Sequence, residues 1–307
     1  MEDTQPVENC WFLTGATAVG KTKVGLALAQ QLGAEIISLD SMAIYRGMDI
    51  GTAKPTVEEQ AVVPHHLIDV VDPTEDYSID RYLATAHAKI EEIAARGREV
   101  LFVGGTPLFL KALLRGLSSG PPADWGLREE IEAEVAEIGS QALHERLEQL
   151  DPVAASQIHP NDTRRLIRAV EVFRITGQPI SHSQMHFEEG REAEECRVYV
   201  LQRPREQQHE RINARVDEMF ERGLVAEVEG LVADGKQLGR TASQAVGYQE
   251  VIAYLDGGDL AQATEKIKAR TRRFAKRQGT WFRSLSECRF VEIDGLETPE
   301  IVEMITG

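Results

Sequence analysis

One short stretch, FLTGATAVGKTKV from Phe12 to Val24, constrains the fold of this chain more than any other. An apolar run leads into a glycine-rich turn that closes on a lysine and a threonine. The eight residues Gly15, Ala16, Thr17, Ala18, Val19, Gly20, Lys21 and Thr22 fit the pattern G-x-x-x-x-G-K-T. Glycines let backbone N–H groups converge on phosphate oxygens, the helix that follows adds its positive end, and Lys21 supplies charge. Thr22 would offer its hydroxyl to Mg²⁺. Such a loop works only between a strand and a helix, so the chain is expected to open as a βαβ unit.

The residues that follow sustain that expectation. Cys10–Thr14 and Glu35–Leu39 read as short buried strands. Ile79, Leu83, Ala86, Ile90 and Ile93 recur at spacings of three and four, which predicts an amphipathic helix ended by Gly97. Val100–Val103 is a further buried strand and Thr106–Arg115 the next helix. Alternation of this kind predicts an α/β fold, a P-loop NTPase-like parallel sheet covered by helices on both faces. The texture changes at GLSSGPPADWG (Gly116–Gly126), a linker by composition. An acidic helical stretch runs from there to Leu150, and Asp151-Pro152 and His159-Pro160 interrupt it. Another helix is expected from about Asn161 to Gly177, then a polar loop over Ser181–Glu195 and a strand at Cys196–Gln202. Residues 121–190 therefore read as a small all-helical insertion domain, and residues 1–120 with 191–307 as the core. The rest is mostly helical: Glu206–Arg222, Leu224–Asp234, Val246–Leu255 and a long helix near Leu260–Leu285. On the last, Leu260, Ala263, Ile267, Phe274 and Trp281 are expected to form the buried stripe. Arg289–Asp294 reads as a final strand.

Several function classes drop out early. No positive start followed by an apolar run opens the chain, so no secretory signal is expected. No run of about 18 apolar residues exists, so no membrane partner is expected and the cytoplasm is the default. The three cysteines, Cys10, Cys196 and Cys288, stand far apart and suggest neither a disulfide framework nor a zinc site. His65-His66 and the pair His182 and His186 lack the spacing or the third ligand of a metal site. A net charge of −16 argues against nucleic acid as a partner, but the charge is uneven. Between Lys266 and Arg283 stand eight basic residues and no acid. Salt screens charges more than about 10 Å apart, so this local face can meet a polyanion whatever the total.

Two features at expected strand ends bear on chemistry. A nucleotide hydrolase places an acid after a second apolar strand to hold Mg²⁺. Here that place is Gly104-Gly105-Thr106, with no carboxylate. The loop at Gly15–Thr22 is thus suited to hold a diphosphate without splitting a nucleoside triphosphate. Asp40 lies at the carboxyl end of the Glu35–Leu39 strand, where open α/β sheets bind ligands. It has two candidate roles, general base or Mg²⁺-coordinating acid; a turn cap is the plain alternative.

The segments GATAVGKT, DSMAIYRGMDIGTAKP, HHLIDVVDP, GGTPLFLKALLRGL, HPNDTRRLIRAVEVFRITGQPIS, QAVGYQE and AKRQGTWFR occur in this order between about residues 11 and 285. Together they resemble the bacterial tRNA dimethylallyltransferases, the tRNA isopentenyltransferases. Ala16 stands where that family often has proline and Val19 where serine is usual, and neither side chain is needed for a backbone cradle. The resemblance implies transfer of a dimethylallyl group from dimethylallyl diphosphate to N6 of the adenosine 3′ of the tRNA anticodon, with Mg²⁺ as cofactor. It implies catalytic roles for Lys21, Asp40, Thr106 and Arg215, with Thr106 hydrogen-bonding the diphosphate and Arg215 pairing with it from the other side. Arg211, one turn earlier, could share that task. It also implies RNA contacts by Asp40, Ser41, Met42, Ala43 and Thr106. Further contacts are implied for Arg164, Arg165, Leu166, Ile167 and Arg168, and for Gln244, Ala245, Val246, Gly247, Tyr248 and Gln249. The last group is Lys276, Arg277, Gln278, Gly279, Thr280, Trp281, Phe282 and Arg283. Arg128 is a further candidate. No protein partner is implied, and a monomer is expected.

Physical chemistry adds its own terms. Breaking the allylic C–O bond builds negative charge on diphosphate, which fixed donors stabilise without reorganising. The adenine amine becomes acidic only as the new C–N bond forms, so a carboxylate with a pKa of about 4 suffices as base. Asp40 is the residue expected in that role. The competing readings are a P-loop kinase for a nucleoside or small acid, prenylation of a free adenine nucleotide, and an RNA-binding module that senses nucleotide.

Overall fold

The structure, a computed structural model, describes residues 4–117, 120–184, 187 and 190–307. His186, named above with His182, lies outside them. Contacts divide the chain into two compact units: Val7–Leu114 with Gly190–Gly307, and Met1–Pro6 with Arg115–Glu189. The amino-terminal residues thus join the smaller unit rather than the core, because Thr4 and Leu117 exchange backbone hydrogen bonds at 3.0 and 3.1 Å.

The larger unit begins with β1 (Trp11–Gly15), α1 (Lys21–Leu32) and β2 (Ala34–Leu39). A short helix α2 (Val57–Val62) and a two-residue strand β3 (His65–His66) follow. Neither is foreseen from the sequence, being too short to carry a period. Then come α3 (Ile79–Ala95), β4 (Glu99–Gly104) and α4 (Pro107–Arg115).

In the smaller unit, α5 (Trp125–Leu150) is interrupted at Gly139, where φ is +83°. Asp151 does not merely break the helix before it. Its carboxylate caps α6 (Pro152–Gln157) by accepting the Ala154 N–H at 3.0 Å. Helix α7 (Thr163–Thr176) starts at an Asp162 cap and stops at left-handed Gly177. The segment expected as a loop after residue 181 contains the end of α8 (Ile180–Gln184). Ile131, Leu143, Leu147, Leu166, Ile167 and Val170 form the core of this unit.

The chain returns to the larger unit with β5 (Val198–Gln202), α9 (Arg205–Glu221), α10 (Leu224–Val232), α11 (Tyr248–Leu255), α12 (Leu260–Arg283), β6 (Cys288–Glu292) and α13 (Thr298–Thr306). Six strands form one sheet in the order β3-β2-β4-β1-β5-β6, with every neighbouring pair parallel. Leu13, Ile36 and Leu101 pack on one face with Val24 and Leu28 of α1 and Ile301 and Ile305 of α13. Phe12 and Phe102 alternate with them and stack at 4.9 Å. All three cysteines are buried at the amino ends of neighbouring strands: Cys10 before β1, Cys196 before β5 and Cys288 at the start of β6. Among the described residues no helix is long and apolar enough to cross a membrane.

The stripe expected on α12 is corrected. Leu260 and Phe274 are exposed and Trp281 half-buried, whereas Ala263, Ile267, Ala275, Gln278 and Phe282 face inward. The inner face includes a glutamine, which no count of apolar residues would select.

Candidate functional site

Everything at the site follows from where parallel strands end. The turn Gly15–Gly20 leaves the carboxyl end of β1, Asp40 follows β2, and Gly104 ends β4 with Gly105-Thr106 just beyond. These three ends are adjacent because β4 lies between β1 and β2. A Cβ on Gly15 would lie 2.6 Å from the Leu201 carbonyl oxygen, and one on Gly104 2.1 Å from that of Leu39. Glycine is required at both positions for the strand ends to approach.

The glycine-rich turn is gripped from outside. Arg203 donates to the Val19 carbonyl at 3.0 Å, Gln208 to Thr17 at 3.0 Å, and Arg211 to Ala18 at 2.9 Å. Gln278 accepts the Thr17 N–H at 2.9 Å and donates to the Gly105 carbonyl at 2.5 Å. Arg211 thus holds the loop through its Nε. Arg203 and Gln208 were not foreseen. The signal was present: Gln208, Arg211 and Arg215 follow one another at three and four residues, a polar face on the helix after β5.

A pocket opens on the inner side of this turn, and its mouth included it encloses about 740 Å³. Lys21, Thr22, Asp40 and Arg215 line its polar end. Lys21 folds back to donate to the Gly15 and Ala16 carbonyls at 2.9 and 3.1 Å. Burial lowers its pKa to about 8, the Arg215 charge pushes the same way, and Asp40 opposes both. Burial and then the neighbouring Arg211 charge pull Arg215 down as well, against Glu218. Two cations held so close and so poorly hydrated make a strong anion site.

Asp40 is sunk among protein atoms yet faces this pocket. Its Oδ1 accepts the N–H groups of Met42 and Ala43 at 2.8 and 3.3 Å. Burial raises its pKa, and those two bonds and Lys21 only partly offset the rise. The expected value of about 4 is thus corrected upward, which makes the carboxylate a better proton acceptor. The Thr106 hydroxyl accepts the Ser41 N–H at 3.1 Å, tying the two loops together while its own O–H remains a donor. The rest of the lining mixes apolar Ile36, Ile68, Val103 and Pro55 with polar Ser38, Thr52, Lys54 and His65. The described residues contain no group of three or more His, Cys, Asp or Glu side chains able to hold a metal ion. Thr22 and Asp40, the two oxygen ligands expected from the sequence, both line the pocket.

The expected RNA contacts divide by burial. On α12, Arg273, Lys276, Arg277, Thr280 and Arg283 form an exposed face with Phe274, while Gln278 and Phe282 are interior and Gly279 packs against Arg283. Ala245, Gly247 and Tyr248 are buried, with Gln244 and Gln249 exposed and Val246 between. Tyr248 donates to Glu227 at 2.5 Å, and the same carboxylate accepts the N–H groups of Asp49, Ile50 and Gly51. In the smaller unit Arg164 and Arg165 are exposed, whereas Leu166 and Ile167 are core. Arg168 pairs with buried Glu171 at 2.6 Å, and Arg128 binds the same carboxylate through two nitrogens, both at 2.9 Å. Arg128 also lies over the Trp125 ring. These two arginines brace the helices of that unit.

A family model described as IPP transferase matches residues 43–285. A tRNA dimethylallyltransferase of Rhodopirellula baltica is 49% identical over 286 residues, covering 90% of this chain and 86% of the relative. One from Pelotomaculum thermopropionicum is 44% identical, covering 98% and 96%. The crystal structure of the full-length tRNA isopentenylpyrophosphate transferase of Bacillus halodurans is 41% identical, with a TM-score of 0.69, covering 97% of this chain and 95% of that one. A eukaryotic dimethylallyltransferase described as acting on tRNA superposes with a TM-score of 0.78 at 26% identity, covering 96% and 78%.

Proposed function

Because this chain belongs to the IPP transferase family, we propose that it transfers a dimethylallyl group from dimethylallyl diphosphate to N6 of the adenosine 3′ of the tRNA anticodon. The products are N6-dimethylallyladenosine and diphosphate. One observation carries the reading: Lys21, Arg215 and Asp40 share a pocket whose wall also carries the apolar side chains of Ile36, Pro55, Ile68 and Val103. Two poorly hydrated cations suit a leaving diphosphate, the apolar side chains suit its hydrocarbon, and the carboxylate suits the proton that must go.

In the reaction the allylic C–O bond breaks, its electron pair passes to the diphosphate, and the N6 lone pair forms the new C–N bond. Lys21, Arg215 and the N–H groups of Gly15–Thr22 stabilise the developing charge. Thr106 donates its O–H to the same anion. Asp40 takes the N6 proton through the oxygen not bonded to Met42 and Ala43. A single carboxylate and the Thr22 hydroxyl fit Mg²⁺ that arrives with the diphosphate, since this ion keeps waters and substrate oxygens in its shell. When bound it would neutralise charge on the leaving group, with Thr22 as its protein contact.

The exposed cations of α12 and, on the smaller unit, Arg164 and Arg165 are suited to phosphates of the anticodon stem-loop. Phe274 offers a ring for stacking. The target base must leave its stack to enter the pocket, which costs a few kcal/mol. A tRNA substrate supports a cytoplasmic site of action.

The test is incubation with dimethylallyl diphosphate, Mg²⁺ and unmodified tRNA, followed by nucleoside analysis. Prenylated adenosine is expected. Prenylation of AMP instead, or phosphoryl transfer from ATP, would replace this reading with one of its rivals.

A further inference from the structure

We propose that Glu227, on α10, is a positioning residue that holds the pocket wall formed by Thr52, Ala53, Lys54 and Pro55; the inference rests on the reaction proposed above.

Those four residues line the pocket together with Asp40, and Glu227 is not part of that lining. It reaches the wall through backbone. Leu224, Glu227, Val228 and Leu231 share one face of α10 at helical spacing. Leu224 and Val228 are buried, and a Cβ at Gly47 would touch Leu231 at 3.5 Å. That face turns the Glu227 carboxylate onto the turn after Met48. Its Oε2 accepts the N–H groups of Asp49 and Ile50 at 3.0 and 2.7 Å. Its Oε1 accepts the Gly51 N–H at 3.1 Å and the Tyr248 hydroxyl at 2.5 Å. Three consecutive N–H groups that converge on one anion form a backbone nest. Here the anion is the protein's own side chain.

The turn's internal bonds run the other way. The Ala53 N–H donates to the Ile50 carbonyl and the Lys54 N–H to the Asp49 carbonyl, both at 3.0 Å. With Ala53 left-handed at φ +52°, this is the closing pattern of a helix carboxyl end compressed into one turn. The carbonyls of Asp49 and Ile50 are thus used inside the turn, and the N–H groups of residues 49–51 face Glu227. Lys54 fixes the far end. Its side chain is almost wholly buried and donates to the Tyr45 carbonyl at 2.8 Å, to Asp69 at 2.6 Å and to Asp49. An ammonium has three protons, so Lys54 braces the wall and has none left for a bound anion. The wall is pinned on Lys54 at one end and on Glu227 at the other. Loss of the carboxylate frees Thr52 and Ala53 to shift, yet removes no group that faces the diphosphate.

Glu227→Gln keeps the shape and leaves one acceptor oxygen in place of two. Three quantities are measured: the single-turnover rate of dimethylallyl transfer at saturating donor and tRNA, the affinity for inorganic diphosphate, and amide hydrogen exchange. The rate is expected to fall about 10- to 100-fold, since a displacement of about 1 Å at a site can cost that much. Diphosphate affinity is expected to stay within about twofold of wild type. Exchange over residues 49–54 is expected to quicken at least about tenfold while that of β1 and α1 is unchanged. A rate within about twofold of wild type overturns the proposal. So does a loss of diphosphate affinity in step with the rate, or unchanged exchange over residues 49–51. Should Glu227→Gln fail to fold, Glu227→Asp, which keeps the charge on a shorter stem, decides by the same three readings. A wild-type protein that does not prenylate tRNA would defeat the reaction itself, and the exchange measurement would still decide whether Glu227 holds the wall.

Discussion

Gln278 accepts the backbone N–H of Thr17 at 2.9 Å, joining the helix that bears the exposed cations to the turn that closes on Lys21. Its amide nitrogen reaches the Gly105 carbonyl on the other side. One interior side chain therefore sets the spacing of the two loops that flank the pocket. Gln278→Met keeps the length and removes both bonds. Each such bond contributes about 0.5–1.5 kcal/mol, so kcat/KM for the donor is expected to fall about 5- to 100-fold. Steady-state kinetics checks this, and a value within twofold of wild type would dismiss the bridge.

Asp40→Asn preserves shape and removes the proton acceptor. Single-turnover rates are expected to drop about 10²- to 10⁴-fold, with donor and tRNA binding little changed. Near-normal turnover would exclude Asp40 as base.

The pH dependence of kcat/KM for the donor follows from two shifted groups. Asp40 must be ionised, and its raised pKa moves the acid limb above the ordinary carboxylate range of about 4. Lys21 must be protonated, and its pKa of about 8 in the ligand-free protein brings the alkaline limb down to that pH. Activity is thus lost as pH falls through the first value and as it rises through the second. A profile from about pH 5 to pH 10 at fixed ionic strength tests both limbs, and Asp40→Asn should abolish the acid one.

Tyr248 and Gly51 meet face to face. A Cβ at residue 51 would stand 2.4 Å from Cε2 of the Tyr248 ring, which is itself held by Glu227. Gly51→Ala is expected to lower stability by about 1–3 kcal/mol through overpacking, read as a lowered urea midpoint at unchanged slope.

Affinity for tRNA should fall steeply with salt, in proportion to the phosphates neutralised. Replacing Arg164 and Arg165 together, or Lys276 and Arg277 together, should flatten the slope of log K against log salt by about one for each phosphate contact removed. Arg128→Ala should act differently: it takes two hydrogen bonds from buried Glu171 and leaves Arg168 as the cation paired with it, so the loss is expected in thermal stability. A flat salt response in the wild-type protein would count against these surfaces.

Local rules reached much of this molecule. The turn at Gly15–Thr22, the strands at β1, β2, β4 and β5, and the helix at Ile79–Ala95 each carry a strong period or a glycine that only one geometry satisfies. The two-residue strand β3 carries neither. Gln278 shows the other limit: polar, set in a basic segment, it reads as surface, and only the meeting of chain segments 261 residues apart turns it inward. The rise in the Asp40 pKa is invisible for the same reason, since its cause is what surrounds the carboxyl group. Arg128 and Arg168 look like anion ligands until Glu171, distant from Arg128 in sequence, is seen to bind both.

The thiols at Cys10, Cys196 and Cys288 sit at the opposite end of the strands from the pocket. Burial, helped by the Glu99 charge and resisted by Arg197, pushes Cys10 up to about 12, so it holds almost no thiolate near neutrality. An alkylating reagent can therefore reach these sulfurs only when that edge of the sheet breathes open. The chain carries its own gauge of unfolding, one that a ligand can slow only by tightening the whole scaffold.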